Sequence, residues 1–277
     1  MQALFNGQWI DAASPAIPVD NRSFRYGAGM FETIRFVQET APLWDRHMQR
    51  LLKSCFELGW TLPALFTTDR LQQDVIRVLR KNKITGSARV RITASHGLGG
   101  LFDGDGKMAF LIEAWPLDPG RQTFNNNGWV IGCYEPARKS ADSLSRIKST
   151  SALIYAQAAA FAKAEKWNDA LVLNTNGHLA DSCIANVFLI KGDQIITTDS
   201  AQGAIEGILQ NWLIDQLQPA FSVERRAIHP TELLAADEVF LTNALFGIRW
   251  VGRLGDRHFT NPLSDRFYRK YIRTIFP

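Results

Sequence analysis

Between residues 116 and 128 the chain reads Pro-Leu-Asp-Pro-Gly-Arg-Gln-Thr-Phe-Asn-Asn-Asn-Gly. Two prolines, two glycines and three consecutive asparagines, with few apolar residues among them, make this the strongest structural break in the sequence. It divides 277 residues, long for one hydrophobic core, into two pieces of ordinary domain size. The expected organisation is a domain over 1–117, a linker over 118–128 and a second domain over 129–277 that carries Lys148.

The first piece opens with two short strands around Asn6-Gly7, a dipeptide that tolerates the backbone of a tight hairpin. A proline-containing connection, Ser14 to Pro18, leads to the stretch Asp20 to Arg35. There Gly27 and Gly29 bracket a close-approach backbone and feed a strand with Phe31 and Thr33 on one face. Apolar residues at 44, 48, 51, 52, 55 and 58 have helical spacing, with Asp45 near the start and Gly59 as the stop. Arg50 falls beside that apolar face. A second amphipathic helix runs from Thr68 to Lys81 (Leu71, Val75, Val78, Leu79). Ala88, Val90 and Ile92 then alternate with Arg89, Arg91 and Thr93, and Met108 to Trp115 returns as a strand. The intervening glycines at 97, 99 and 100 lack the lysine and helix of a phosphate loop and read as a hairpin turn. Strands and helices in blocks argue for an α+β class.

The second piece is organised around Ser145-Arg-Ile-Lys-Ser-Thr150. Lys148 precedes an Ala-rich helix reaching about Lys166. A strand follows at Ala170–Asn174, then a turn at Asn176-Gly177. A second strand ends at Phe188–Ile190, with Asp181 near its start. A lysine at a helix entry and a carboxylate on a neighbouring hairpin suit an aldehyde cofactor. A pyridoxal ring needs an amine for its Schiff base and an anion to keep its ring nitrogen protonated. Further on, Gly207 opens directly onto a helical pattern (Ile208, Leu209, Trp212, Leu213, Leu217), which aims free N–H groups at an anion. The closing helix starts at Asn261-Pro262, with Leu263, Phe267, Tyr271 and Ile275 inward.

A net charge of +4 raises nucleic acid as a partner, but the basic residues form no runs and fit an anionic small substrate better. No apolar run reaches membrane length, and the N-terminus lacks the order of a signal peptide. Three scattered cysteines fit reduced thiols in a cytoplasm. There is no metal-ligand spacing, Ser-His-Asp signature or dinucleotide fingerprint. These features describe a cytoplasmic protein with no metal, no membrane and no nucleic acid.

Five separated stretches, in this order, resemble the fold-type IV pyridoxal-phosphate enzymes: Phe-Arg-Tyr-Gly-Ala-Gly-Met-Phe-Glu-Thr at 24–33, His47-x-x-Arg-Leu51, Ile147-Lys148, Asp181 ahead of Ala-Asn-Val-Phe188, and Gly207-Ile-Leu. That family includes branched-chain and D-amino-acid aminotransferases and 4-amino-4-deoxychorismate lyase. The resemblance implies two domains, a smaller N-terminal one and a larger C-terminal one with a barrel-like sheet, and a homodimer holding pyridoxal 5'-phosphate. It implies Lys148 as the Schiff-base lysine and proton carrier, and Arg50, Gly207, Ile208 and Leu209 as phosphate ligands. Asp181 stands where the family nearly always has glutamate for the ring nitrogen, and Asn243, in a lyase-type Asn-Ala-Leu stretch, is a further implied cofactor contact. Tyr26, Phe31 and Arg91 are the implied substrate contacts, with Thr33 as a proton-delivering hydroxyl.

The resemblance leans toward the lyase, which forms 4-aminobenzoate and pyruvate, a step toward folate. Leu153 stands five residues after Lys148, where branched-chain enzymes carry a tyrosine. Against this, the turn from Gly97 to Phe102 has no arginine, which lyases tend to carry there. Branched-chain or D-amino-acid transamination is the alternative, and a non-catalytic binding protein on the same fold is a further one.

Overall fold

The computed structural model describes residues 1–14 and 17–277. The connection Ser14 to Pro18 therefore falls partly outside the described residues, at Pro15 and Ala16. The chain forms two compact units, one of residues 1–118 with Lys148–Ser151, the other of residues 119–147 with 152–277. Lys148–Ser151, expected in the C-terminal domain, thus joins the first unit. Backbone hydrogen bonds to the start of a strand in that unit hold it there.

In the first unit the elements are β1 (Gln2–Phe5), β2 (Gln8–Asp11), α1 (Arg22–Tyr26), β3 (Gly29–Val37), α2 (Trp44–Glu57), α3 (Thr68–Lys81), β4 (Ser87–His96) and β5 (Met108–Pro116). The strands form one antiparallel sheet in the order β2-β1-β5-β4-β3. Alternation along β3 and β4 places Ile34, Phe36, Val90, Ile92 and Ala94 in the core, together with Met48 and Leu51 of α2 and Val75, Val78 and Leu79 of α3. The same alternation leaves Phe31, Thr33, Arg91 and Thr93 half-buried on the opposite face.

The second unit contains β6 (Trp129–Lys139), α4 (Leu153–Ala164), β7 (Asp169–Asn174), β8 (Leu179–Ser182), β9 (Asn186–Lys191), β10 (Gln194–Thr198), α5 (Ile208–Leu217), β11 (Ser222–Arg226), α6 (Pro230–Leu234), β12 (Glu238–Asn243), β13 (Gly247–Leu254), β14 (Arg257–His258) and α7 (Pro262–Phe267). Their sheet runs β11-β10-β9-β12-β13-β6-β7-β8, with β14 on β13. The end strand β8 returns against β9 and β10, so the sheet curls into a half-barrel. Val187, Leu189, Val239, Leu241, Leu171 and Ile131 fill one side of it. From the other side of β9 and β12, Phe188 and Phe240 stack with centroids 4.8 Å apart.

Two local expectations change. The single strand expected from Asp181 to Ile190 is two strands, because Ser182 closes a turn on Ala185: the Ser182 N–H donates to the Ala185 carbonyl (2.8 Å) and Ala185 N–H to Ser182 Oγ (3.0 Å). The Ser182 hydroxyl is itself anchored on the buried Asp169 carboxyl at 2.7 Å. The closing helix also slips out of its expected phase. Tyr268–Ile272 is a π-helical turn, so Tyr268, Ile272 and Phe276 are buried while Leu263 and Ile275 are only half-buried. Its start is capped from a distance: Glu238 accepts from the N–H groups of Leu263 and Ser264 at 2.7 and 2.9 Å.

Candidate active site

In the first unit, Lys148 is fixed by its backbone. The Phe31 N–H donates to the Lys148 carbonyl at 2.9 Å and the Thr150 N–H donates to the Gly29 carbonyl at 2.8 Å, while Met30 bridges Ser149. Residues 148–150 therefore lie along the start of β3 like a short extra strand. The approach depends on the glycines. A Cβ on Gly29 would sit 2.4 Å from Ser23 Oγ and 2.8 Å from Thr150 Oγ1, and one on Gly27, which has φ +68°, would sit 2.1 Å from Ser151 Oγ. The half-buried Lys148 extends its amine over the Phe31 ring, 4.5 Å from the centroid.

Arg91 covers the same ring, its guanidinium carbon 3.7 Å from the centroid, and donates from Nε to Thr93 Oγ1 at 3.1 Å. Thr33 is the direct cross-strand partner of Arg91, and Glu113 is its partner on β5. Burial pushes the Glu113 carboxyl up, with Arg91 and Arg89 opposing. Lys148, Phe31, Thr33 and Arg91, all expected at the site, are thus brought together. Tyr26 is 44% exposed at the end of α1.

Arg50 reaches from α2 to Glu32 with Nε to Oε1 at 2.8 Å and Nη2 to Oε2 at 2.5 Å, and His47 Nδ1 meets Oε2 at 2.7 Å. Burial pushes the Glu32 carboxyl up, but Arg50 and the His47 hydrogen bond outweigh it and hold the group at about 2. An ionised carboxylate only accepts, so Nδ1 of His47 carries the proton of this bond. Burial drives the His47 pKa down against Glu32, with Arg50 and Lys148 adding to the depression. Glu32 and His47 were visible in the motif, but nothing in the sequence paired them with Arg50.

In the second unit, Asp181 is buried on β8. Its oxygens accept from the Tyr155 hydroxyl, 3.0 Å from each, and Oδ2 accepts from the Ile205 N–H at 2.9 Å. Lys139, at the end of β6, donates to the Tyr155 hydroxyl and stands 3.6 Å from Asp181 Oδ2. Burial pushes the Lys139 ammonium down, opposed by Asp181, and pushes the Tyr155 phenol well up, with Asp181 reinforcing that shift. Sequence reasoning missed Lys139 and Tyr155, which stand 42 and 26 residues from Asp181 with no periodicity linking them.

Beyond Ile205 the chain turns at Gly207 into α5, whose start has no side-chain cap. Asn186 Nδ2 donates to the Ile205 carbonyl at 2.8 Å, and a Cβ on Gly207 would meet Asn186 Oδ1 at 1.8 Å. Ile208 and Leu209 are buried, so their side chains pack while their N–H groups lie in the first turn. Asn243 ties the β12–β13 turn to the β8–β9 turn. Its Oδ1 accepts from the N–H groups of Leu245 and Phe246, and its Nδ2 donates to the Ile184 carbonyl at 3.2 Å.

The family model for amino-transferase class IV matches residues 29–254. The chain belongs to the class IV aminotransferases. It is a pyridoxal-phosphate enzyme of that family. This class IV aminotransferase is similar to the aminodeoxychorismate lyase of Vibrio harveyi, 26% identical over 87% of this chain and 88% of the relative. It is equally 26% identical to an Aquifex aeolicus protein bearing the name "probable branched-chain-amino-acid aminotransferase", over 99% of this chain and 92% of the relative. Its fold matches the branched-chain aminotransferase structure from Thermoproteus uzoniensis with a TM-score of 0.88, covering 100% of this chain and 95% of that one at 23% identity.

Chemically, the half-buried amine of the first unit suits an aldehyde, and the buried carboxylate and uncapped helix start of the second unit suit a ring nitrogen and a phosphate. Among the described residues no group of three or more His, Cys, Asp or Glu is arranged to hold a metal, and no helix is long and apolar enough to cross a membrane.

Proposed function

We propose that this class IV aminotransferase is a lyase that converts 4-amino-4-deoxychorismate to 4-aminobenzoate and pyruvate. The observation that carries the reading is the Thr33–Arg91 cross-strand pair on the face where Phe31 supports Lys148. It sets a hydroxyl, a carboxylate-binding guanidinium and a basic amine around one aromatic ring, which are the groups an elimination from a carboxylated ring requires.

The bound cofactor supplies the electron sink that makes loss of a proton next to the amine possible. Lys148 Nζ removes that proton, Arg91 holds a substrate carboxylate, and Thr33 Oγ1 returns a proton toward the departing group. Phe31 and Tyr26 line the substrate. The first turn of α5, from Gly207 through Ile208 and Leu209, would hold the phosphate through its N–H groups. Arg50, oriented by Glu32, would serve as a further phosphate ligand, and Asp181 would pair with the ring nitrogen. Asn243 serves by holding the turns beside that carboxylate.

The Vibrio harveyi relative supports the lyase, as does Leu153, which is 72% exposed and stands where branched-chain enzymes have a tyrosine. The turn after β4 has no arginine of its own, but Arg22 donates to the Leu101 carbonyl and Arg25 to the Gly99 carbonyl, so α1 brings cations to it. Transamination is the second reading, favoured by the Aquifex aeolicus relative. The lyase reading includes a cytoplasmic homodimer, checked in solution by light scattering.

The deciding experiment measures pyruvate released from aminodeoxychorismate by cofactor-loaded protein with no keto acid present, beside Lys148→Ala. Continuous release that requires Lys148 supports the lyase. An absence of pyruvate, with amino acids converting the cofactor's visible absorbance to that of its amine form, establishes the aminotransferase instead.

A further inference from the structure

We infer that Lys139 is a positioning residue that competes with the cofactor's ring nitrogen for Asp181, so that the ring nitrogen of this enzyme is held largely unprotonated. The inference rests on the proposed role of Asp181 and concerns three side chains of the second unit.

Asp181 is one methylene shorter than the glutamate expected at its position, and its carboxylate is already engaged by Tyr155, Ile205 and Lys139. The arrangement is directional. Lys139 donates to the Tyr155 oxygen, and the Tyr155 proton then points at Asp181. Lys139 and Asp181 are 9% and 4% exposed, so little water screens their attraction. Besides Asp181, the exposed Asp142 faces Lys139, and Cys183 is a further titratable group facing Tyr155.

Asp142 is exposed and screened by water, so within the buried cluster the one negative charge of Asp181 can balance one positive charge. With Lys139 protonated, its pair with Asp181 is neutral, and a second cation on the ring nitrogen would leave a buried excess charge. Burial also drives the Lys139 pKa down, which fits an amine whose proton depends on the Asp181 carboxylate. Protonation of the ring nitrogen is therefore in competition with protonation of Lys139. A less protonated ring is a weaker electron sink, and the groups of the first unit must then direct more of the reaction.

The test loads wild-type protein, Lys139→Met and Tyr155→Phe with cofactor labelled with nitrogen-15 in the ring, and records the ring-nitrogen chemical shift near neutral pH. The wild type is expected near the unprotonated position, Lys139→Met should move toward the protonated one, and Tyr155→Phe, which keeps the Lys139 charge beside Asp181, should stay near the wild type. The ring-nitrogen pKa should rise by about one unit or more in Lys139→Met. Circular dichroism establishes that each variant is folded, and Tyr155→Phe separates loss of the Lys139 charge from loss of a neutral hydrogen bond to Asp181. A wild-type signal at the protonated position, or Lys139→Met indistinguishable from wild type, overturns the inference while leaving the enzyme reading intact. Failure of the wild-type protein to hold cofactor through Lys148, seen as no visible absorbance, overturns both.

Discussion

Arg50 grips Glu32 through two parallel hydrogen bonds, at 2.8 and 2.5 Å, from the helix that packs on the strand carrying Glu32. The guanidinium is thereby oriented before any ligand arrives, with Glu32 2% and Arg50 11% exposed. Glu32→Gln removes the charge that balances Arg50 and should cost about 3–5 kcal/mol of stability, measured by urea unfolding. A loss under about 1 kcal/mol would mean the pair contributes little.

The same carboxyl sets an acid limit. Its folded-state pKa is about 2 against an ordinary 4.5, so the folded state holds the deprotonated form more strongly than the unfolded chain does. That stabilisation is complete above pH 4.5 and is lost as pH falls through 2, amounting to about 3 kcal/mol. Unfolding at a series of pH values should show this loss in the wild type, and Glu32→Gln should lack it.

Arg91 is fixed by Phe31 and Thr93 rather than by a carboxylate hydrogen bond. Arg91→Met should raise KM for a carboxylated substrate by about 10- to 100-fold, the value of a lost charged hydrogen bond, with the visible cofactor absorbance unchanged. An unchanged KM would remove Arg91 from the substrate contacts.

At the start of α5, Gly207→Ala drives a methyl into Asn186 Oδ1. The substitution should cost about 1–3 kcal/mol and weaken cofactor binding. Adding Asn186→Ala should recover part of the loss, because the clashing atom is gone. A double-mutant cycle with no coupling would contradict the packing described.

Phe240 stacks on Phe188 at 4.8 Å and both are fully buried. Phe240→Ala should destabilise by about 3–5 kcal/mol, read by thermal or urea unfolding, far beyond what an exposed phenylalanine such as Phe102 would cost.

The local alternations were legible in the sequence because their causes are local. The helix over 68–81 follows from apolar spacing, and the β4 face follows from strict alternation. The order of motifs around Lys148 identified the family and the cofactor for the same reason: each motif is a contiguous stretch. Only the tertiary structure decided which distant side chains meet. It zipped residues 148–150 onto β3, joined Glu32 to His47 and Arg50, and delivered Lys139 and Tyr155 to Asp181. Pairings between residues far apart in sequence leave no period to read, because hydrogen-bond geometry and buried charge select them only after the strands and helices have packed.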